Sequence, residues 1–539
     1  MSATQSVLPT HCDYLIVGAG SGGCVVANRL SADPRIQVVL VEAGGRDNWH
    51  WIRIPAGTRH VVGNSRTDWI SLSEAEPIVG RTMPVSRGKV LGGSSSINGC
   101  VYVRGAASDF ERWRESGLAG WGWDEVLPVY RRLERYAGGG NEMRGDAGEL
   151  RVERPRLRMA AFDYLTRAAI EAGIPGRSDF NCGEVDGCGM YDVTQYRGVR
   201  QSAARAFLDP VRHRANLHVI TQAMCGGLTL DQGRVTGASV LHQNVKRSIA
   251  ARREVILCAG AIGTPQILQL SGIGPGAVLE RAGVAVKHDL PGVGANLQDH
   301  MTMRLIVRVH GISTVNTQYH NLFKRAWMGV EYGLFRRGPL VMGAPLWGGF
   351  TRSDRHRPEP NVQFFSMPAS MGTSFGKPDR FDAIAGGIYN LHPRSRGRVW
   401  IKNHDPLEPP AILHNYLTDS DDQKVAVDSV RLMRRIYATP TFMRLRPQEI
   451  RPGAAIQGDE DVLAAGIKTA GTAWHQVGTC AMGHDANAVV DAQLRVHGIG
   501  GLRVADGSVM PTIISGNTNA CIMMIADRAA TFILRDATR

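Results

Sequence analysis

At 539 residues the chain is too long for a single core, and two large domains are expected. With 43% hydrophobic and 21% charged residues and no apolar run near ~18–20 residues, the composition excludes a disordered chain and a membrane-spanning helix. The net charge of +13 is scattered arginine, as at Arg131-Arg132, Arg252-Arg253 and Arg352 to Arg357, and no long basic tract with interleaved aromatics speaks for nucleic acid.

Met1 to Thr10 has neither a basic n-region nor an apolar h-region, so no secretory signal is read. The nine cysteines are dispersed without a C-x-x-C pair, and no Cys/His cluster has zinc spacing. A reducing cytoplasm is expected, with peripheral membrane attachment left open and no metal site.

The apolar run Asp13 to Val17 ends in G-x-G-x-x-G (Gly18, Gly20, Gly23), and an Ala/Val/Leu-spaced helix follows. Gly18 permits the turn after the strand, Gly20 the approach of backbone to a pyrophosphate, and Gly23 close helix–strand packing. The diphosphate would sit on the helix N-terminus. A second run, Gln37 to Val41, ends in Glu42, 19 positions after Gly23 (42 − 23), where an acid accepts from a ribose hydroxyl pair. The pattern leaves NAD and FAD both open.

Trp49, Trp51 and Trp69 then read as a cover over the nucleotide-binding sheet. Gly88 to Gly105 holds Gly92-Gly93-Ser94-Ser95-Ser96 between apolar runs, a loop rich in backbone donors that can lie against a planar polar ring. Residues 108–135 read as helix anchored by Trp113, Leu118, Leu127 and Leu133; 136–150 as a mobile surface loop; 160–173 as an amphipathic helix. Leu217 to Thr221 and Glu254 to Gly260 read as strands, the latter buried and parallel. From about Met301 to Ala464 the pattern becomes alternating, as at Thr302 to His310 and Asn361 to Phe365, with a Trp-bearing helix over 321–335.

Residues 88–111 resemble the first signature of the glucose–methanol–choline (GMC) oxidoreductases, FAD-dependent alcohol-oxidising flavoproteins. Gly260 to Gly274 is similar to their second signature, and Pro291 to His300, Trp474 to Gly483, Arg503 to Pro511 and Ser515 to Ala520 are similar to further motifs in the family order. The resemblance runs from Asp13 to about Phe532. It implies an α/β (α+β overall) architecture: a Rossmann-like FAD-binding domain built from 1–160, 205–300 and 465–539, and a second, mainly antiparallel-sheet substrate domain from 161–204 and 301–464.

By the same resemblance FAD is held by Gly18, Gly20, Ser21, Gly22, Gly23, Glu42, Ala43, Gly92, Gly93, Ser94, Asn98, Gly99, Cys100, Val101, Cys225, Ala259, Gly260, Trp474, Asp506, Gly507, Asn519 and Ala520. Cys225 falls at the adenine, contacted through backbone. His475 with Asn519, 44 positions on (519 − 475), matches the family's catalytic pair. A neutral histidine near pH 7 takes the hydroxyl proton, and the asparagine supports the developing alkoxide. Ile97 stands where some members tether FAD through histidine, so FAD is expected to be non-covalent. Ala344 to Phe350 lacks the acid that choline-specific members carry. With Trp347, Phe365 and Trp474 as pocket residues, and Phe364 and Met367 beside them, an aryl or aliphatic primary alcohol is favoured. The expected partners are that alcohol and an electron acceptor, oxygen or a quinone; no oligomeric state follows. The alternatives are a choline- or polyol-type dehydrogenase and a non-redox, FAD-containing hydroxynitrile lyase.

Overall fold

The computed structural model describes residues 8–372 and 376–538; of the stretch read for a secretory signal, residues 1–7 lie outside the described residues. Strand β1 (His11–Val17), helix α1 (Ser21–Leu30) and β2 (Val38–Val41) form the opening unit. The two strands pair in parallel, Tyr14 opposite Val38 and Val17 opposite Val41. Helices cover both faces of such a sheet, so these strands read as unbroken apolar runs. Gly18 has φ 99°, and a Cβ there would lie 2.5 Å from the Cys258 carbonyl oxygen; at Gly23 it would lie 1.9 Å from that of Gly18. Both glycines are therefore demanded by packing.

β3 (Leu217–Ile220) extends the sheet beyond β2, and β4 (Ala223–Asp231), β5 (Arg234–His242) and β6 (Val245–Leu257) form an antiparallel meander on its other side. β6 serves two partners. Its solvent-facing first half pairs antiparallel with β5, and its buried end, Glu254 to Leu257, pairs in parallel with β1. Helix α2 (Gly260–Leu270) begins where β6 stops.

The second sheet begins with β7 (Met301–Arg308). Helix α3 (Leu322–Phe335), β8 (Trp347–Thr351), β9 (Val362–Met367), β10 (Ala383–Asn390), helix α4 (Ser420–Tyr437), β11 (Gln448–Arg451) and β12 (Gly471–Thr472) follow. Its order is β8-β9-β10-β7-β11, with β12 also on β7, and all pairings are antiparallel. Val425, Val430, Met433 and Ile436 of α4 share a core with Leu305 and Ile384 of this sheet. The chain then returns to the first sheet: β13 (Leu502–Val504) pairs in parallel with β6, and α5 (Asn519–Ala537) shares a core with α1.

One reading changes and another sharpens. Residues 108–135 form two helices, Ala107–Glu115 and Trp123–Leu133, because Gly117 (φ 95°) and Gly120 (φ 88°) break the run between them. Residues 136–150 form the expected surface loop, and it is anchored from within. Glu134–Tyr136 pairs in parallel with Leu150–Val152, and the fully buried Arg144 donates to Glu134 (2.7 Å), Asp179 (2.9 Å) and Asp192 (2.9 Å). Arg104 donates to the same Glu134 at 2.5 Å. Gly-rich, polar composition suggests a loop; a buried guanidinium ringed by carboxylates fixes it. Removing one member of such a cluster strands buried charge, so Arg144→Met is expected to lower stability by ~3–5 kcal/mol, read by urea unfolding of the holoenzyme.

Candidate active site

A cavity of about 1490 Å³ runs between the two sheets. At one end lie the β1–α1 turn, Glu42 and the start of α2. The helix α1 opens at Gly20 with no side-chain cap, so its first amides are left to a ligand. Glu42 is buried; its oxygens accept from the amides of Ala19 (2.9 Å) and Gly44 (2.7 Å), and burial pushes its carboxyl up to about 7. A Cβ at Gly93 would lie 2.7 Å from the Gly20 Cα, whereas one at Gly260 would meet nothing within 4 Å. The cradle is thus closed by backbone on one side and kept clear by a missing side chain on the other.

The loop at Gly93 to Cys100 forms the middle of the wall. Behind it Arg200 is fully buried, donating to Ile52 O (2.8 Å), Asn98 Oδ1 (2.8 Å), Ser95 O (3.3 Å) and Thr58 Oγ1 (3.1 Å). Trp51, stacked on His60 with ring centroids 4.0 Å apart, and the half-exposed Trp69 line the cavity. They cover the cavity rather than the sheet.

At the far end His475 is held by its own segment. Asp299 accepts from the amide of His475 (2.7 Å), from Tyr416 (2.5 Å), from Gln476 (3.2 Å) and from Thr472. Trp474 carries φ 60°, its amide donating to Thr472 Oγ1 (2.8 Å) and its carbonyl accepting from Arg87. A left-handed conformation costs a non-glycine residue about 1–3 kcal/mol and persists only where its surroundings fix it.

The imidazole sits in a chain of hydrogen bonds. His300 Nε2 lies 3.0 Å from the Leu391 carbonyl, His300 Nδ1 lies 3.0 Å from His475 Nδ1, and His475 Nε2 lies 3.1 Å from Asn517 Nδ2. Burial lowers the pKa of both histidines, that of His475 to about 4. Asp299 opposes the shift at His475 and Arg87 reinforces it. Both rings are therefore neutral near pH 7. A carbonyl only accepts, so His300 carries its proton on Nε2 and accepts on Nδ1. His475 then donates from Nδ1, and its Nε2 lone pair points to Asn517 and the cavity.

This geometry corrects the assignment of Asn519. Asn519 is the first residue of α5, and its Oδ1 accepts from Ser21 Oγ at 2.7 Å, tying α5 to α1 at the nucleotide end. The carboxamide beside His475 belongs to Asn517, and Asn517 Oδ1 is buried with no donor among the described residues. A single loop holds two asparagines, and only the onset of α5 tells them apart. Trp347 is also corrected. It is fully buried in the substrate-domain core, Nε1 donating to Thr166 Oγ1 (2.8 Å), with Phe364 beside it. Phe365, Met367 and Trp474 do line the cavity.

Among the residues assigned to the cofactor, Gly18, Gly20, Ser21, Gly22, Glu42, Ala43, Gly93, Ser94, Asn98, Gly99, Cys100, Val101, Cys225, Ala259, Gly260, Trp474, Asp506, Gly507 and Asn519 line the cavity. Gly23, Gly92 and Ala520 lie behind it: Gly23 against Gly18, Gly92 donating to Ala19 O (2.8 Å), and Ala520 in the core. The Asp506 carboxylate is occupied by Gly260 N (2.8 Å), Thr264 Oγ1 (2.6 Å), Ser508 N (2.8 Å) and Ser508 Oγ (2.6 Å), so it clamps α2 to the C-terminal segment. Sequence reasoning missed Asn517, Arg200 and the roles of Asp299 and His300, although Asp299-His300 ends a motif already singled out.

A dinucleotide cradle opening onto a neutral histidine between two sheets defines a cofactor-dependent oxidoreductase. The sequence matches the GMC oxidoreductase family over residues 12–302 and again over 393–526, and the chain belongs to that family. It is 38% identical to an alcohol dehydrogenase [acceptor] of Pseudomonas putida over 534 residues, covering 97% of this chain and 96% of that protein. It is 40% identical to an oxygen-dependent choline dehydrogenase of Serratia proteamaculans over 531 residues, covering 96% and 95%. Its fold resembles the crystal structure of pyridoxine 4-oxidase from Mesorbium loti, with TM-score 0.88, 30% identity and coverage of 98% and 99%. It also resembles formate oxidase, with TM-score 0.92, 27% identity and coverage of 99% and 100%. The chain is an FAD-dependent oxidoreductase acting on CH–OH donors, with FAD as its cofactor. The uncapped start of α1, the open space at Gly260 and the unpaired Asn517 Oδ1 fit that cofactor.

An imidazole can take a proton only through its lone pair, so protonating the His475 ring removes that capacity. Flavin reduction by alcohol is expected to hold its rate as pH falls through ~6.5, where an ordinary histidine would lose it, and to fall as pH passes about 4. Stopped-flow absorbance across pH measures this.

Proposed function

We propose that the protein oxidises a primary alcohol, aryl or aliphatic, to the aldehyde, with His475 as the general base. The observation that carries this reading is the His475 Nε2 lone pair, left facing the cavity by the chain from Leu391 through His300. FAD, when bound, supplies the hydride acceptor, and oxygen or a quinone-type compound takes the electrons onward. The alcohol hydroxyl donates to Nε2 and passes its proton there. Asn517 Nδ2 turns its hydrogen bond to the alcohol oxygen as negative charge builds. The imidazolium that forms lies close to Asp299, whose charge favours it. FAD is held without a covalent bond in this reading, since the buried Ile97 offers no nucleophile.

The charge at the substrate end favours an alcohol other than choline. Arg81, Arg304, Arg451 and Lys468 line that part of the cavity, while the acids among its lining residues are Glu42, Glu408 and Asp506. Glu408 is tied by its carbonyl to Gln266 of α2, and the other two belong to the cradle. A Cβ at Gly471, four positions before His475, would lie 2.7 Å from the Arg304 guanidinium, and Arg81 donates to the neighbouring Ala470 carbonyl at 2.7 Å. Burial, and then the charges of Arg451 and Arg81, lower the pKa of Arg304. A quaternary ammonium entering here meets like charge; a neutral alcohol does not.

Anaerobic addition of an aryl or aliphatic alcohol is expected to bleach the visible flavin absorption, with acid denaturation afterwards releasing free flavin. A protein that forms or cleaves cyanohydrins with its flavin oxidised throughout would instead be a lyase. His475→Ala is expected to slow bleaching roughly 10²–10⁴-fold, and Asn517→Ala is expected to slow it with flavin content unchanged. Asn519→Ala is expected chiefly to lower flavin content.

The neutral isostere 3,3-dimethylbutan-1-ol is expected to give a higher kcat/KM than choline. The opposite ranking would assign the protein to the choline-type alternative.

A further inference from the structure

Helix α3 has a face that nothing among the described residues covers. Phe323, Trp327, Val330 and Leu334 are spaced four, three and four residues apart, which puts them in one stripe of the helix. They are 89%, 57%, 45% and 72% exposed, and Leu322 and Phe335 at the two ends of the helix are exposed as well. The opposite face is the one that packs. Met328 and Tyr332 are buried there, and Arg325, Met328 and Gly329 line the cavity. A helix with one face on the protein and the other in water normally carries polar groups on the water side. Here the outward face is aromatic and aliphatic.

Charge says what covers it. Lys324 stands at the start of the helix and Arg336 and Arg337 just past its end, while Arg325 turns to the cavity; the only carboxylate of the helix, Glu331, is paired with Arg337 at 3.0 Å. Three cations therefore stand against one acid. A second copy of the chain is a poor occupant, because antiparallel pairing of two α3 helices about a two-fold axis sets Lys324 against Arg336 and Arg337. An anionic surface meets both ends favourably.

We propose that α3 seats the protein on an anionic lipid surface, lying in the interface with Phe323, Trp327, Val330 and Leu334 in the acyl boundary and the flanking cations among the headgroups. Fourteen residues make a helix of about 21 Å, short of the ~30 Å hydrocarbon core, and no helix among the described residues is long and apolar enough to cross a membrane. An amphipathic helix rimmed by cations binds in the plane instead. Because the inner face of α3 is cavity wall, this seat brings that wall of the cavity to the lipid.

The test floats the holoenzyme with vesicles of phosphatidylcholine and phosphatidylglycerol in equal parts, and with vesicles of phosphatidylcholine alone. The wild-type protein is expected to float with the anionic vesicles, more weakly as salt rises. The triple variant Phe323→Ser, Trp327→Ser, Leu334→Ser is expected to lose roughly tenfold or more of that binding while oxidising alcohol with a water-soluble dye at the wild-type rate. Lys324→Gln with Arg336→Gln is expected to weaken binding to anionic vesicles and leave the apolar stripe intact. Two results overturn the proposal. One is wild-type protein that stays with the soluble fraction. The other is a wild-type dimer, seen by light scattering, that the triple variant converts to monomer, which would make the stripe a contact between copies.

Discussion

The carbonyl of Leu391 can only accept a hydrogen bond, and the protonation of the site follows from that. It holds the proton of His300 on Nε2, which leaves Nδ1 to accept from His475 and turns the His475 Nε2 lone pair toward the cavity. Burial makes the arrangement firm, since charging either ring in this setting is costly. His300 is further held by stacking on Tyr389, with centroids 4.6 Å apart and planes 14° from parallel. The proposed base is thus oriented by a neutral imidazole, where many catalytic histidines lean on a carboxylate. Asp299 is nearby, yet it binds the backbone amide of His475 and leaves the ring alone. It holds the segment in place and lends its charge to the imidazolium without fixing the tautomer.

That division of labour explains why the site needs both domains. Leu391 follows β10 of the second sheet, His300 precedes β7, and His475 follows β12, while Asn517 precedes α5 of the first domain. The pairing of Met301 with Thr472 brings the two histidines together. The left-handed Trp474 then turns the chain so that the ring faces inward. At the other end Asp506 joins Gly260 to Ser508, binding the start of α2 to the C-terminal segment. The cavity is the seam between two sheets, and its polar groups are shared across that seam.

Much of this was legible. The opening glycines, Glu42 and the apolar ends of β1 and β6 announce themselves because a parallel strand buried on both faces is an unbroken apolar run and a pyrophosphate turn tolerates no side chain. The failures have one cause: a residue type in the right stretch does not say which way its side chain turns. Asn517 and Asn519 are two positions apart, and only the point where α5 begins sends one to His475 and the other to Ser21. Trp347 and Phe365 come from the paired strands β8 and β9, yet one indole reaches Thr166 in the core while the other ring reaches the cavity. The anchor of loop 136–150 is hidden in the sequence because the carboxylate partners Asp179 and Asp192 of Arg144 are distant in sequence. Arg200 is missed for the same reason, since its acceptors at Ile52, Thr58, Ser95 and Asn98 all lie more than a hundred positions before it.

The two ends of the cavity are built on opposite electrostatic terms. The cradle offers backbone amides, a helix N-terminus and one buried acid, a set suited to a diphosphate and a ribose. The substrate end gathers guanidinium groups whose mutual repulsion is already felt at Arg304. Such a cluster is tolerable where field lines escape to solvent or end on a negative partner, and α3 contributes Arg325, Met328 and Gly329 to the wall of the same cavity. Its Arg325 belongs to the cavity lining, on the side of the helix opposite the apolar stripe. The cavity wall and the apolar stripe are therefore opposite faces of one helix, so a partner seated on α3 lies one helix diameter from the cavity.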